Sequence, residues 1–156
     1  MHKHILIPTD GSALSLAAVE YGIALAKSVG AKVTVLTVST PFHTFAVEPV
    51  MVTATPEQYA KQVAAVTKKY LDSAREVALA AGVSCKTVHV EHDHPYLAII
   101  ETAAKESCDL IVMASHGRRG ISAIALGSET NKVLTHSGIP VLVVRPPSRS
   151  LLDVAS

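Results

Sequence analysis

Residues 110–130 read LIVMASHGRRGISAIALGSET, and how this stretch is read decides the fold. Its first four residues are uninterruptedly apolar and too few for a helix, the pattern of a strand covered on both faces. Small and polar residues follow at once: Ser115, His116 and Gly117. Nine residues separate Gly117 from Gly127, and with Ser128 the chain reaches a position where a helix would open. Backbone amides free of side-chain bulk at both glycines can converge on an anion from two sides, with the dipole of the following helix favouring negative charge. Arg118 and Arg119 would add charge-assisted bonds. The same residues also suit a plain strand-to-helix turn with solvated arginines, and the stretch alone leaves both readings open.

Outward from this strand, four more short runs have strand character: 4–9, 33–38, 84–90 and 140–144. The first and last are nearly continuous, 33–38 alternates Val and Leu with Thr, and 84–90 alternates more weakly. Helical patterns lie between them. Leu14, Ala17, Ala18, Tyr21 and Leu25 recur at helical spacing and stop at Gly30, a C-terminal glycine. Thr55, Pro56 and Gln58 form a capping-box start, after which Tyr59, Val63, Val66, Tyr70, Ala74 and Val77 run along one side to Gly82. A third helix opens near Asp93 and Pro95 and uses Leu97, Ile100 and Ala104, and a fourth follows Gly127 with Val133 and Leu134. Strands alternating with helices define an α/β domain with a doubly wound parallel sheet and helices on both faces.

The composition fits one such domain. The chain has 156 residues, 49% apolar and 17% charged, with no Trp, four Tyr and two Phe, so the core must be aliphatic. A net charge of +1 gives no broad field for nucleic acid or an anionic membrane. No run approaches the roughly 20 apolar residues that span a bilayer, and the N-terminal apolar stretch is too short for a signal peptide. Cys85 and Cys108 lack CxxC spacing and are expected reduced and buried, which fits a cytoplasmic address. Residues 1–146 are expected to form the domain and 147–156 a frayed tail. The stretch 39–54, with two prolines, is long for a strand-to-helix connection and reads equally as a functional flap or as cover for the sheet edge.

Open parallel sheets bind ligands beyond the carboxyl ends of their strands, where the strand order reverses. Asp10, at the end of the first strand, is placed to accept hydrogen bonds from ribose hydroxyls or to meet a magnesium ion, and equally to cap the helix that follows. The chain carries no GxxxxGK[ST] and no GxGxxG, so neither a Walker loop nor a dinucleotide fingerprint applies. His89, Glu91, His92, Asp93 and His94 crowd one turn. A solvated turn in which Asp93 caps the third helix is favoured there over a metal site. Ser115 beside His116, with Asp10 as orienter, resembles nucleophilic machinery only superficially, because adjacent side chains rarely aim at one another and no oxyanion device accompanies them.

Taken together, ILIPTDGS at 5–12, VTVLTV at 33–38, DLIVMASHG at 109–117, LGSET at 126–130 and IPVLVVRP at 139–146 resemble the universal stress protein family along nearly the whole chain. Its nucleotide-binding members carry Gly, two residues, Gly, nine residues, Gly, then Ser or Thr. Gly117, Gly127 and Ser128 match this pattern, and Ala114 stands where the first glycine is found. The resemblance implies a five-stranded parallel sheet in the order 3-2-1-4-5 and an adenine nucleotide, ATP with magnesium, as ligand. Pro8, Thr9 and Asp10 would line the adenosine pocket, and Val38 would meet the adenine through its backbone. Met113, Ala114, His116, Gly117 and Arg118 would complete the turn, and Gly127, Ser128, Glu129 and Thr130 would cradle phosphate. No metal site is implied beyond the magnesium brought by the nucleotide, with Asp10 as its one protein contact.

A homodimer through the last strand is also implied, with the apolar edge 139–144 paired to a twofold mate. The function so implied is a nucleotide-dependent stress regulator acting on a protein partner. Slow ATP hydrolysis or autophosphorylation is compatible with it, but no clear general base or activated nucleophile marks an efficient enzyme. A nucleotide-free dimeric interaction scaffold is the second reading, and a small hydrolase or transferase using Asp10 and His116 the third. Ala114 divides the first two. A methyl group is harmless there in β conformation, and blocking at positive φ or where phosphate lies against the Cα.

Overall fold

A computed structural model describes residues 1–42, 55–117 and 126–145. Residues 43–54 of the long connection, the segment 118–125 with Arg118 and Arg119, and the tail from 146 onward lie outside the described residues, as do the expectations placed on them. The elements run β1 (His4–Pro8), α1 (Ala13–Val29), β2 (Lys32–Ser39), α2 (Pro56–Ala81), β3 (Cys85–Glu91), α3 (Pro95–Lys105), β4 (Leu110–Ala114), α4 (Ser128–His136) and β5 (Val141–Val144). All pairings are parallel and the sheet order is β3-β2-β1-β4-β5. The expected order is therefore found, and the chain reverses its direction of winding between β1 and β4.

Apolar sequence explains the layering. Ile5, Leu6 and Ile7 of β1 and Ile111 and Val112 of β4 are completely buried, as central strands covered on both faces must be. Alternate residues feed two cores. Ile5, Ile7, Val33, Val35 and Val112 pack with Val19, Ile23 and Ala26 of α1 and Leu71, Ala74 and Ala78 of α2. Leu6, Leu36, Ile111 and Met113 pack on the other face with Ile99 and Ala103 of α3 and Val133 of α4. Among the described residues, no helix is long and apolar enough to cross a membrane.

Helix ends follow the sequence signals. Gly30 and Gly82 take left-handed conformations at φ 72° and 70° and close α1 and α2, and the Thr55–Gln58 capping box is complete. Helix faces follow them less well. In α1 the buried residues are Ser15, Ala18, Val19, Gly22, Ile23 and Ala26, whereas Ala17 is exposed and Tyr21 half-exposed, a correction of the expected stripe. The helix is apolar nearly all round, so periodicity does not select a face. Close approach does: a methyl group on Gly22 would come 2.4 Å from Ile7 Cδ1.

In α3 the buried set is Ala98, Ile99, Thr102 and Ala103, while Leu97 and Ile100 are only half-buried and Ala104 is exposed. Its apolar run LAII allows adjacent faces, and the smaller side chains admit the nearer approach to the sheet. Val133 of α4 is fully buried, but Leu134 is 41% exposed, and on α2 Val66 is 45% exposed while Thr67 and Leu71 point inward. Both cysteines are free thiols; Cys108 is buried, whereas Cys85 is only half-buried. Burial, first of all, lifts the Cys108 thiol to about 11, well out of the reactive range.

Candidate functional site

The reversal between β1 and β4 places the ends of both strands beside each other, and the first strand's loop is held by its own side chains. Thr9 is buried, donates its N–H to the Leu36 carbonyl at 2.8 Å, and its carbonyl accepts from the Thr37 hydroxyl at 3.1 Å. Its hydroxyl lies 3.0 Å from Ser15 Oγ and accepts from Gly11 N–H at 3.2 Å. Thr9 therefore builds the loop from beneath. Asp10 Oδ1 accepts from Ser12 N–H at 2.9 Å, and Ser12, in place of Asp10, caps α1 by accepting from Ser15 N–H at 3.2 Å. This corrects the alternative in which Asp10 was the helix cap. Its other oxygen, Oδ2, faces the turn after β4, 3.0 Å from the point a Cβ on Gly117 would occupy.

Gly11 adopts φ +77°, and a methyl group there would come 2.1 Å from the Tyr70 ring. Tyr70 thus roofs the Asp10 loop from α2, and Tyr59 of the same helix donates its hydroxyl to the Thr40 carbonyl just past β2. Neither role was read from the sequence, where both tyrosines count only as members of the apolar stripe. The available signal is their chemistry, since a buried tyrosine carries a hydroxyl that seeks a polar rim. Val38, near the end of β2, is partly buried against the second core and pairs with Val90.

On the β4 side, Ala114 is a strand residue in register with Val144, and its carbonyl accepts from the Thr130 hydroxyl at 2.9 Å. Among the described residues, the one non-glycine with positive φ is Ser107, so Ala114 does not occupy a conformation that demands glycine. Ser115 N–H continues the ladder to the Val144 carbonyl at 3.0 Å. Gly127 then returns to the turn, donating N–H to the Ser115 carbonyl at 2.8 Å. A methyl group on Gly127 would lie 3.2 Å from both His116 Cα and Ser115 O, a tight fit against backbone that favours glycine here.

Gly127 is also the N-cap of α4, at φ −63° and ψ 156°, with no side-chain hydrogen bond to the helix start, and Ser128 is the first helical residue. The backbone N–H groups of the first turn have no intrahelical acceptors and carry the positive end of the helix dipole. The side chains of Glu129 and Thr130 are used elsewhere. Thr130 is buried on β4, and Glu129 Oε2 accepts from Tyr96 N–H at 2.9 Å, capping α3 from outside while Lys132 lies 3.5 Å from its Oε1. What this helix start presents to a ligand is therefore backbone and the exposed Ser128.

Ser115 Oγ lies 3.0 Å from His116 Nδ1, both side chains being buried. The expectation that these neighbours do not aim at one another is thus corrected: the turn folds the imidazole back over the preceding hydroxyl. The histidine-rich turn before α3 also differs from expectation. The N-cap there is His94, without a side-chain cap bond, and not Asp93. His89 Nε2 meets Ser39 Oγ at 2.7 Å, and His92 Nδ1 accepts from His94 N–H at 2.8 Å. Among the described residues, no group of three or more His, Cys, Asp or Glu side chains is arranged to hold a metal ion.

The five-stranded parallel sheet, wound in both directions from β1 and β4 and covered by helices on both faces, places the chain among the doubly wound α/β domains. The chain belongs to the universal stress protein family, whose model matches residues 1–145. It is 33% identical over 151 residues to the universal stress protein MJ0531 of Methanocaldococcus jannaschii, covering 96% of this chain and 85% of the relative. Its fold superimposes on the solved structure of MJ0577 from the same organism with a TM-score of 0.80 at 28% identity, covering 96% of this chain and 99% of that one. A universal stress protein solved in complex with cAMP matches with a TM-score of 0.66 at 26% identity, over 92% of this chain and 97% of that chain.

Proposed function

We propose that this protein binds an adenine nucleotide, ATP with magnesium, at the carboxyl ends of β1 and β4, and acts as a nucleotide-dependent stress regulator rather than as an efficient enzyme. The observation that carries the reading is the N-terminus of α4. Gly127, its N-cap, sets no side chain over the first-turn amides, while Gly117 and Asp10 Oδ2 face one another across the same rim. Phosphate would rest on the amides after Gly127 and on the turn at His116 and Gly117. Pro8, Thr9, Asp10, Val38 and Met113 would border the adenosine end. The cAMP-bound relative supports an adenine nucleotide as the class of ligand.

Magnesium fits as a passenger of the nucleotide. It binds through one or two carboxylates together with phosphate oxygens and waters, and Asp10 supplies a carboxylate at this rim. When bound, the ion would neutralise phosphate charge; the chain's own part is to hold the phosphates on backbone donors. Ala114 supports retention of binding, because its strand conformation accommodates the methyl group. The partly buried strand β5 supports a homodimer through residues 139–144, in a cytoplasmic protein whose partner would read the nucleotide state.

Thermal denaturation with and without millimolar ATP and magnesium tests the reading, together with mass spectrometry of any small molecule that copurifies. Stabilisation and a retained adenine nucleotide are expected. The absence of both would overturn it.

A further inference from the structure

His116 has a nitrogen with nothing to do. The side chain is 6% exposed, and Nε2 is buried without a hydrogen-bond partner, while Nδ1 sits 3.0 Å from Ser115 Oγ. A buried imidazole nitrogen left unsatisfied is destabilising and calls for an explanation. The ring's position gives one. Its Cδ2 atom, bonded to Nε2, lies 3.7 Å from the point a Cβ on Gly127 would occupy, so the ring packs against the start of α4 beside that nitrogen. That start has no side-chain cap of its own. The unpartnered His116 Nε2 and a start of α4 that has no side-chain cap thus share one corner of the molecule.

We infer that His116 Nε2 donates a hydrogen bond to a phosphoryl oxygen of the ligand at the α4 N-terminus, and that Ser115 is a positioning residue for it. The inference rests on the nucleotide reading above and extends it from backbone donors to a specific side chain. The chemistry follows from the ring itself. A neutral imidazole has one donor and one acceptor nitrogen. In the tautomer in which the Ser115 hydroxyl donates to Nδ1, the ring proton stands on Nε2. An oxyanion seated on the α4 amides would satisfy both, and a buried donor outweighs a solvated one because water does not compete for it. Adenosine, which lacks phosphate, would gain nothing from this group, so the inference assigns His116 to the discrimination of phosphorylated from unphosphorylated ligand.

The test compares ATP with adenosine by calorimetry on the wild-type protein, His116→Phe and Ser115→Ala, with ¹⁵N NMR of the histidine ring nitrogens in the wild type. The expected result is a loss of about tenfold or more in ATP affinity for His116→Phe, no change for adenosine, and a smaller loss for Ser115→Ala. The wild-type Nε2 resonance should move on adding ATP and stay in place on adding adenosine. If the phenylalanine variant does not fold, the wild-type resonances alone decide. Equal ATP affinity in wild type and His116→Phe, or an Nε2 signal that ignores ATP, overturns the inference and leaves nucleotide binding intact. A wild type that binds neither ATP nor adenosine overturns both.

Discussion

Gly127 and Ser115 are locked together at the rim of the sheet: the glycine N–H reaches the serine carbonyl at 2.8 Å, and a Cβ on Gly127 would stand 3.2 Å from that same oxygen. The hydrogen bond and the missing side chain are one arrangement, since a Cβ here would press tightly on the backbone of the turn. It joins the end of β4 to the start of α4. Substituting Gly127→Val should therefore push the helix start away from the turn, destabilising the fold by about 1–3 kcal/mol. It should also abolish measurable ATP binding. Chemical denaturation and calorimetry on the same preparation separate the two effects, and a valine variant that binds ATP as the wild type does would refute the role given to this glycine.

Ala114 makes the opposite prediction. It stands where the family pattern has glycine, but it lies in β4 beside Val144, with its carbonyl held by Thr130 and without positive φ. Restoring the glycine with Ala114→Gly should add backbone freedom to the unfolded chain and lower stability by about 0.5–1 kcal/mol. ATP affinity should be unchanged. A marked gain in affinity would mean that the methyl group obstructs phosphate after all.

These two positions show how far the sequence could be read. The strand-like runs, the glycine stops of α1 and α2, and the Thr55–Gln58 capping box were legible because each depends on neighbours in sequence. The buried faces of α1 and α3 were not. Both helices are apolar around much of their circumference, and the choice fell to small residues such as Gly22, whose approach to Ile7 is a tertiary fact. At the site, Gly117, Gly127, Ser128 and Asp10 could be picked out by spacing and by the switch-point rule. Glu129 enters the site only through the family resemblance, and the bond from its carboxylate to Tyr96 N–H of α3, 33 residues away, has no signal in the local sequence. Tyr70 over Gly11 was hidden for the same reason.

His4 predicts how stability responds to acid. It is buried on β1 with Nε2 2.7 Å from Thr34 Oγ1. Burial, and after it the nearby Lys32, lowers its pKa below the ordinary 6.5, only partly offset by Glu106 and Asp109. As pH falls through about 6.5 the unfolded chain takes up this proton while the folded chain does not, so stability rises with pH across that window. The contribution is fully present above 6.5 and drains away below it, down to the folded-state pKa. Melting temperatures of the wild type should drop between pH 7 and pH 5 more steeply than those of His4→Gln, both measured without ligand. Parallel curves for the two proteins would assign the acid sensitivity to other groups.

Glu129 carries the last prediction, because it ties two helices together. Its Oε2 accepts the Tyr96 N–H at 2.9 Å, at an α3 N-terminus whose own cap residue, His94, makes no side-chain bond. An acceptor carboxylate is what such a helix start lacks, and its negative charge sits well at the positive end of the dipole. Glu129→Ala should cost about 0.5–2 kcal/mol, the ordinary loss for a helix cap, with Glu129→Gln losing less because the amide oxygen still accepts. The local consequence is sharper than the global one. Amides in the first turn of α3 should exchange with solvent faster in the alanine variant, while those of α1 and α2, on the far face of the sheet, keep their protection. Uniform loss of protection across α1, α2, α3 and α4 would show that Glu129 holds the fold as a whole and not this one helix end.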